Sequence, residues 1–239
     1  PGTCRACAPA RMHGRYREGF ERFVRTGQGP VINRSVELMA VRKDGSEFPI
    51  EVSTSAMNIG GHWHALGMVR DITERKQAEE EARRSAARMA SLYRISQMTA
   101  ANEGEFLDLV LQEALSLTGS AIGYLYAYDE AKREFTLNSY SRDVMKECTI
   151  TEVKTCYELD KTGIWGEAVR QRKPILLNDF AAEHPLKKGY PEGHAKIRKF
   201  LTVPVIMQGA VVAVVGVANK PDDYTDADVT QLNLLMDSA

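Results

Sequence analysis

Between Asp179 and Arg198 the sequence gathers side chains able to hold ions, move protons or grip flat rings: His184, Lys187, Lys188, Tyr190, Glu192, His194 and Arg198. A connecting segment of this length inside a compact domain is functional or disordered. Within it, Gly189-Tyr190-Pro191-Glu192-Gly193-His194 is constrained by its glycines and proline, which hold His194 in a set direction. His194 is therefore the leading ligand candidate. Cys4 and Cys7 form a Cys-x-x-Cys, but no second pair or following histidine makes it a zinc ribbon or a haem-attachment motif. His62 and His64 alternate on one expected strand beside Gly60-Gly61 and read as solvated rather than as metal ligands. No metal site is expected. No nucleotide-binding glycine loop or phosphoacceptor motif occurs, so the chain is expected to be non-catalytic.

The elements that must position these residues fall into two groups. Thr73 to Arg88 is almost free of large apolar side chains and divides the chain. With 44% hydrophobic and 26% charged residues, the composition supports a packed core and argues against disorder. With 31 basic and 32 acidic residues, the net charge of -1 gives no reason to expect a nucleic-acid partner. Four scattered cysteines are too few for a disulfide framework and fit a reducing cytoplasm. The longest apolar run, Ala210 to Ala218, is far below the roughly 20 residues a membrane span needs, so no membrane segment is expected here. Both ends look cut, which implies neighbouring modules in a parent chain.

In the first group a short helix over Arg15 to Arg25 ends at Gly27-Gln28-Gly29-Pro30. Three β-rich runs follow, Val36 to Val41, Glu47 to Met57 and Trp63 to Ile72, with turns at Lys43-Asp44-Gly45-Ser46 and Gly60-Gly61. They form an antiparallel meander. The stretches "ELMAVRKDGSEFPIEVSTS" and "HWHALGMVRDITERK" resemble the C-terminal half of a PAS domain, with its earlier strands and ligand-facing helix missing. Residues 1–73 are assigned to that partial module, and no ligand is expected in it.

Residues 74–98 lack Gly and Pro and are rich in Ala, Glu and Arg, which predicts one long helix. Ala78, Ala82, Ala86, Met89, Leu92 and Ile95 recur at three- and four-residue spacing, a narrow apolar stripe of the coiled-coil kind. That predicts a homodimer through a signalling helix. The alternative is a solvated linker packing on its own domains.

In residues 99–239 an apolar amphipathic helix over Phe106 to Leu117 closes at Thr118-Gly119. Strands are expected at Ala121 to Tyr128, Glu134 to Tyr140, Pro174 to Leu177, Phe200 to Met207 and Val211 to Ala218. Helices are expected over Gly163 to Arg172 and after Thr225. This order describes an α+β module, an antiparallel sheet with helices on one face. "GIWGEAVRQRKPILLND" and "FLTVPVIMQGAVVAVVGVANK" resemble a GAF domain, and "KKGYPEGHAKIRKFLTVPV" looks like the GAF modules that precede histidine-kinase cores in bacterial and archaeal sensors.

The resemblance implies a sensory role in a two-component signalling protein, with a kinase core elsewhere in the parent chain and a small-molecule ligand under the Asp179 to Arg198 segment as lid. It implies Trp165, Asn178, Asp179, Tyr190 and Arg198 as pocket candidates. Some GAF sensors of the resembling kind carry haem, and it places Cys148 where the porphyrin is attached and His194 where iron is ligated, with redox state or a bound gas as input. The alternatives are a buried Cys148 and a loop-capping His194, with Trp165 as core and Asn178-Asp179 as turn chemistry. Asn219-Lys220 with Tyr224, Asp226 and Asp228 partly resembles the signature of cyclic-nucleotide-binding GAF domains. Its bland reading is a turn, with Thr225 or Asp226 capping the last helix. A third reading, from the GAF-fold methionine-sulfoxide reductases, pairs Cys148 with Cys156 as nucleophile and resolving thiol.

Overall fold

The computed structural model describes residues 7–99, 102–141, 156–185, 187 and 196–238. The chain divides into two compact units, Pro1–Arg83 and Arg84–Ala239.

In the first unit, α1 (His13–Thr26) ends at Gly27, whose φ of 71° lets its N–H reach the Phe23 carbonyl at 2.7 Å. The ring of Trp63 lies so close that a Cβ on Gly27 would stand 2.4 Å from it, so Gly27 serves both the turn and the packing. The meander follows as β1 (Arg34–Val41), β2 (Glu47–Ile59) and β3 (His62–Asp71), paired in that order. Gly60 and Gly61, at φ 58° and 83°, make the two-residue turn that suits a right-twisted hairpin. His62 and His64 are exposed on β3. Asp71 accepts hydrogen bonds from the Thr73 N–H (2.9 Å) and hydroxyl (2.6 Å) and from the Arg42 guanidinium (2.6 Å). Those donors, Thr73 first, hold its carboxyl down at about 2 and start the next helix.

That helix, α2 (Thr73–Gln97), is continuous, but its expected single apolar stripe splits. Ser91 and Ile95 are buried and Leu92 half-buried, against the second unit's core, whereas Met89 is 62% and Tyr93 66% exposed on the line that Ala82 and Ala86 begin. The reason is helical geometry: at about 100° per residue, each three-residue step from Met89 to Leu92 to Ile95 turns the line back by about 60°. Within the second unit, Arg94 clamps α2 to Glu113 with bonds of 2.6 and 2.5 Å, and this pairing holds the Glu113 carboxyl below its ordinary range.

The second unit is a six-stranded antiparallel sheet. Its elements are α3 (Glu103–Thr118), β4 (Ile122–Asp129), β5 (Glu134–Tyr140), β6 (Cys156–Glu158), α4 (Glu167–Gln171), β7 (Ile175–Leu177), β8 (Phe200–Met207), β9 (Ala210–Ala218) and α5 (Asp226–Met236). The strand order is β6-β5-β4-β9-β8-β7. Period-two alternation sorts the side chains. Leu125, Leu201, Val203, Val215 and Val217 point to the face covered by α3, α5 and the end of α2, where Val110, Ala114, Leu232 and Leu235 meet them. The long helices thus lie on one face. The other face carries Tyr128, Phe135, Val211 and Val214 under short helical turns and α4. The expected helix at Gly163 to Arg172 is a 3-10 turn, Ile164–Gly166, running into the single short helix α4.

Candidate ligand pocket

The floor of a cavity of about 1100 Å³ is laid on the sheet face away from the long helices. Tyr124 and Tyr126 alternate along β4 and point into it, with Leu125 between them on the other side. Tyr124 can lie there because β9 offers Gly216 beneath it: a Cβ at Gly216 would stand 2.2 Å from the Tyr124 ring. The Tyr124 hydroxyl makes a long 3.4 Å bond to Thr202 Oγ1. Burial pushes the Tyr124 and Tyr126 phenols well above the ordinary tyrosine range, so they stay neutral hydrogen-bonding groups.

One wall is the turn sequence between β6 and α4. Trp165 stands at its end, with ring centroids 4.8 Å from Phe135, 5.3 Å from Tyr126, 5.6 Å from Tyr157 and 6.1 Å from Tyr124. Arg170 holds the wall in place. Its Nε pairs with Glu167 at 2.5 Å, its Nη1 donates to the Leu159 carbonyl at 2.7 Å, and its Nη2 donates to the Gly163 carbonyl at 2.8 Å. One guanidinium thus ties successive carbonyls of a turn that no regular helix satisfies.

The opposite wall and the rim come from the two stems of the long segment after β7. Phe180, Ala182, Glu183, His184 and Lys187 line the first stem, and Lys196 and Ile197 the second. The Phe180 N–H donates to the Arg198 carbonyl at 2.7 Å and joins the stems. Asn219, at φ 63°, fastens the second: its Oδ1 accepts from the Arg198 N–H and its Nδ2 donates to the Lys196 carbonyl, both at 2.8 Å. Asn178 fastens the first through paired bonds to the Tyr224 backbone, 2.9 Å to its carbonyl and 2.7 Å from its N–H.

Of the residues expected to face a ligand, Trp165 lines the cavity. Asn178, Asp179 and Arg198 are not among the lining residues. Asp179 closes a turn by accepting from the Ala181 and Ala182 N–H groups, and Arg198 contributes its backbone. Asp179 thus makes the local bonds of a short carboxylate at a strand end, while Asn178 reaches the distant Tyr224 backbone. Cys148, Tyr190 and His194 lie outside the described residues, as does Cys4. Cys156 is exposed on edge strand β6. The segment Asn219 to Asp228 also builds structure. Lys220 pairs with Asp228 at 2.7 Å, and the Thr225 N–H donates to Asp228 Oδ2 at 2.8 Å in a capping box that starts α5. The Tyr224 hydroxyl bonds to Ser120 at 2.6 Å and is pushed up to about 12 by burial. Sequence reasoning missed Tyr124, Tyr126, Tyr157 and Arg170. Alternating tyrosines in "IGYLYAYD" were the available signal for the first two.

With this geometry in hand, comparison with known proteins gives the class. The model of the GAF domain matches residues 100–239, and the chain belongs to that family. Among relatives, it is 40% identical over 228 residues to a methyl sulfide methyltransferase-associated sensor of Methanosarcina acetivorans, covering 95% of this chain and 22% of that protein. The chain thus spans about one fifth of that relative's length. Two solved structures share the fold. The GAF domain of a phosphoenolpyruvate-protein phosphotransferase from Coxiella burnetii matches with a TM-score of 0.53 at 21% identity, over 64% of this chain and 89% of that one. A free methionine-R-sulfoxide reductase from Neisseria meningitidis matches at 0.51 and 15%, over 66% and 87%. At these identities the likeness is one of fold, and a fold that serves such different proteins does not carry an activity with it.

Proposed function

We propose that this chain is a sensory, non-catalytic segment of a longer signalling protein, and that its second unit binds a small ligand in the cavity over the sheet. The observation that carries this reading is the cavity itself. Its volume of about 1100 Å³ is at the upper end for small-molecule sites, and its floor of rings backs onto a packed sheet. The sensor name of the 40% identical relative supports it. In the finer form of the proposal, the parent is a sensor histidine kinase acting in the cytoplasm, the first unit is the C-terminal half of a PAS domain, and the exposed line of Ala82, Ala86, Met89 and Tyr93 on α2 pairs two copies.

Haem is the ligand proposed first. The described walls suit a flat apolar group in size and in their aromatic character. His194 would ligate the iron and Cys148 would attach the porphyrin. When bound, haem would supply a redox couple or a gas-binding centre as the input. The protein's own part is to stack rings on the group, shield it from water and report its state through the fastened stems. Reconstitution followed by absorption spectroscopy tests this: a Soret band that shifts in His194→Ala is expected, and no band, or one indifferent to that substitution, removes haem from the proposal.

A further inference from the structure

We infer that the ligand of this cavity is an aromatic acid, its rings against Trp165 and Tyr124 and its carboxylate, sulfonate or phosphate at the ammonium of Lys187. The inference rests on the ligand-binding reading above and deepens it: it names a class to which haem, with its propionates, belongs but which does not depend on iron. Two zones of the cavity carry it.

On the floor the side chains are rings. Tyr124 and Tyr126 bring only neutral hydroxyls, and the Tyr124 hydroxyl already has a partner in Thr202. A charged ligand group placed there would be desolvated with no opposite charge to meet it. Rings suit this zone, because Trp165 and the tyrosines present π-faces and edges for offset and edge-to-face contact.

At the rim the charge is positive. Among the described lining residues, Lys161, Lys187 and Lys196 stand against one carboxylate, Glu183. Lys161 is exposed and paired with Glu158, whereas Lys187 is built in. Its ammonium donates to the carbonyls of Phe180 and Ala182, the latter at 2.5 Å, and sits 4.4 Å from the centre of the Phe180 ring. Carbonyl partners and a ring face fix the position of that charge without cancelling it. A cationic ligand would meet a fixed like charge there, and an acid group meets a positioned donor.

The test needs no iron and no knowledge of the native ligand. Two probes share a ring system and differ by one charge: 1-anilinonaphthalene-8-sulfonate and the neutral N-phenyl-1-naphthylamine. In a Trp63→Phe chain Trp165 is the one tryptophan left, and energy transfer from it weights the signal toward probe bound at or near the cavity, the Lys187 variants separating cavity binding from binding elsewhere. The anionic probe is expected to bind about tenfold tighter than the neutral one, the size of one hydrogen bond to a charged group. Lys187→Met should erase that gap, Lys187→Arg should keep it, and neither should move the neutral probe. Equal affinities in the unsubstituted site, or a gap that survives Lys187→Met, overturn the acid assignment and leave ligand binding standing. No transfer from Trp165 to either probe overturns both. Should Lys187→Met fail to fold, salt decides on the parent chain. Raising it to about 0.5 M should narrow the gap by screening, and a gap indifferent to salt counts against the inference.

Discussion

The two sheets of this molecule are both antiparallel, yet they hold together by different means. In the three-stranded meander every residue of β3 is exposed, with Leu66 at 63%, Met68 at 71% and Val69 at 59%. In the six-stranded sheet β8 runs buried from Phe200 to Pro204, one face lies under the long helices and smaller apolar clusters cover part of the other. The first unit therefore leans on turns, on the Gly27–Trp63 contact and on surface ion pairs such as Lys76–Glu37 at 2.6 Å. Exposed pairs of that kind contribute little each. The second unit can leave a large cavity open because its opposite face supplies the burial. A sheet with one good core can spend its other face on a site.

The largest test of that contrast is substitution at matched apolar positions. Phe135→Ala, fully buried beneath Trp165, should cost about 3–5 kcal/mol in the second unit's unfolding transition. Leu66→Ala on β3 should stay within about 0.5 kcal/mol. Denaturant unfolding followed by hydrogen exchange separates the two units. Similar costs at both positions would erase the distinction.

Acid gives a more selective probe of the meander. Asp71 has its carboxyl lowered in the fold, from 3.8 to about 2, by Thr73 and then Arg42. A lowered folded value stabilises above the unfolded value, and that contribution is lost as pH falls from about 4 through about 2. Exchange protection at the start of α2 should weaken over that window, and Asp71→Asn should flatten the dependence. An unchanged profile in Asp71→Asn would transfer the role to other carboxylates.

The smallest stability effect is expected where the largest assembly effect is. Met89→Glu, at an exposed position of α2, should change unfolding by no more than about 0.5 kcal/mol while lowering the sedimentation coefficient of the pair. A sedimentation profile identical to that of the parent chain would remove the proposed pairing line.

Much of the fold was legible because local rules agreed with the tertiary outcome. Gly-Gly and Gln208-Gly209 turns, the Gly119 stop of α3 and the Thr225 start of α5 each have one cheap backbone solution, and the chain takes it. Strand β6, Cys156–Glu158, escaped notice because a three-residue edge strand carries too little alternation to read. The site was less legible. The described stems of the Asp179 to Arg198 segment line the cavity through Phe180, His184, Lys187 and Ile197, while Asn178, Asp179 and the Arg198 backbone make fastening bonds. The tyrosines of β4 hid in a strand whose alternation tells that one face differs from the other, without telling which face meets a layer of helices and which stays open.

By itself, then, the amino-acid sequence determined the longer elements, their turns and caps, and the family of the second unit, because these depend mainly on patterns among residues close in the chain. Only the tertiary structure decided that Tyr124 rests on Gly216, that Arg170 stitches a wall together and that Lys187 is held at the rim. Tyr124 and Gly216 are far apart in the chain, whereas the Arg170 and Lys187 bonds reach only 5 to 11 residues; these close irregular turns that no repeating pattern announces, and their geometry exists only once the sheet holds the turns in place.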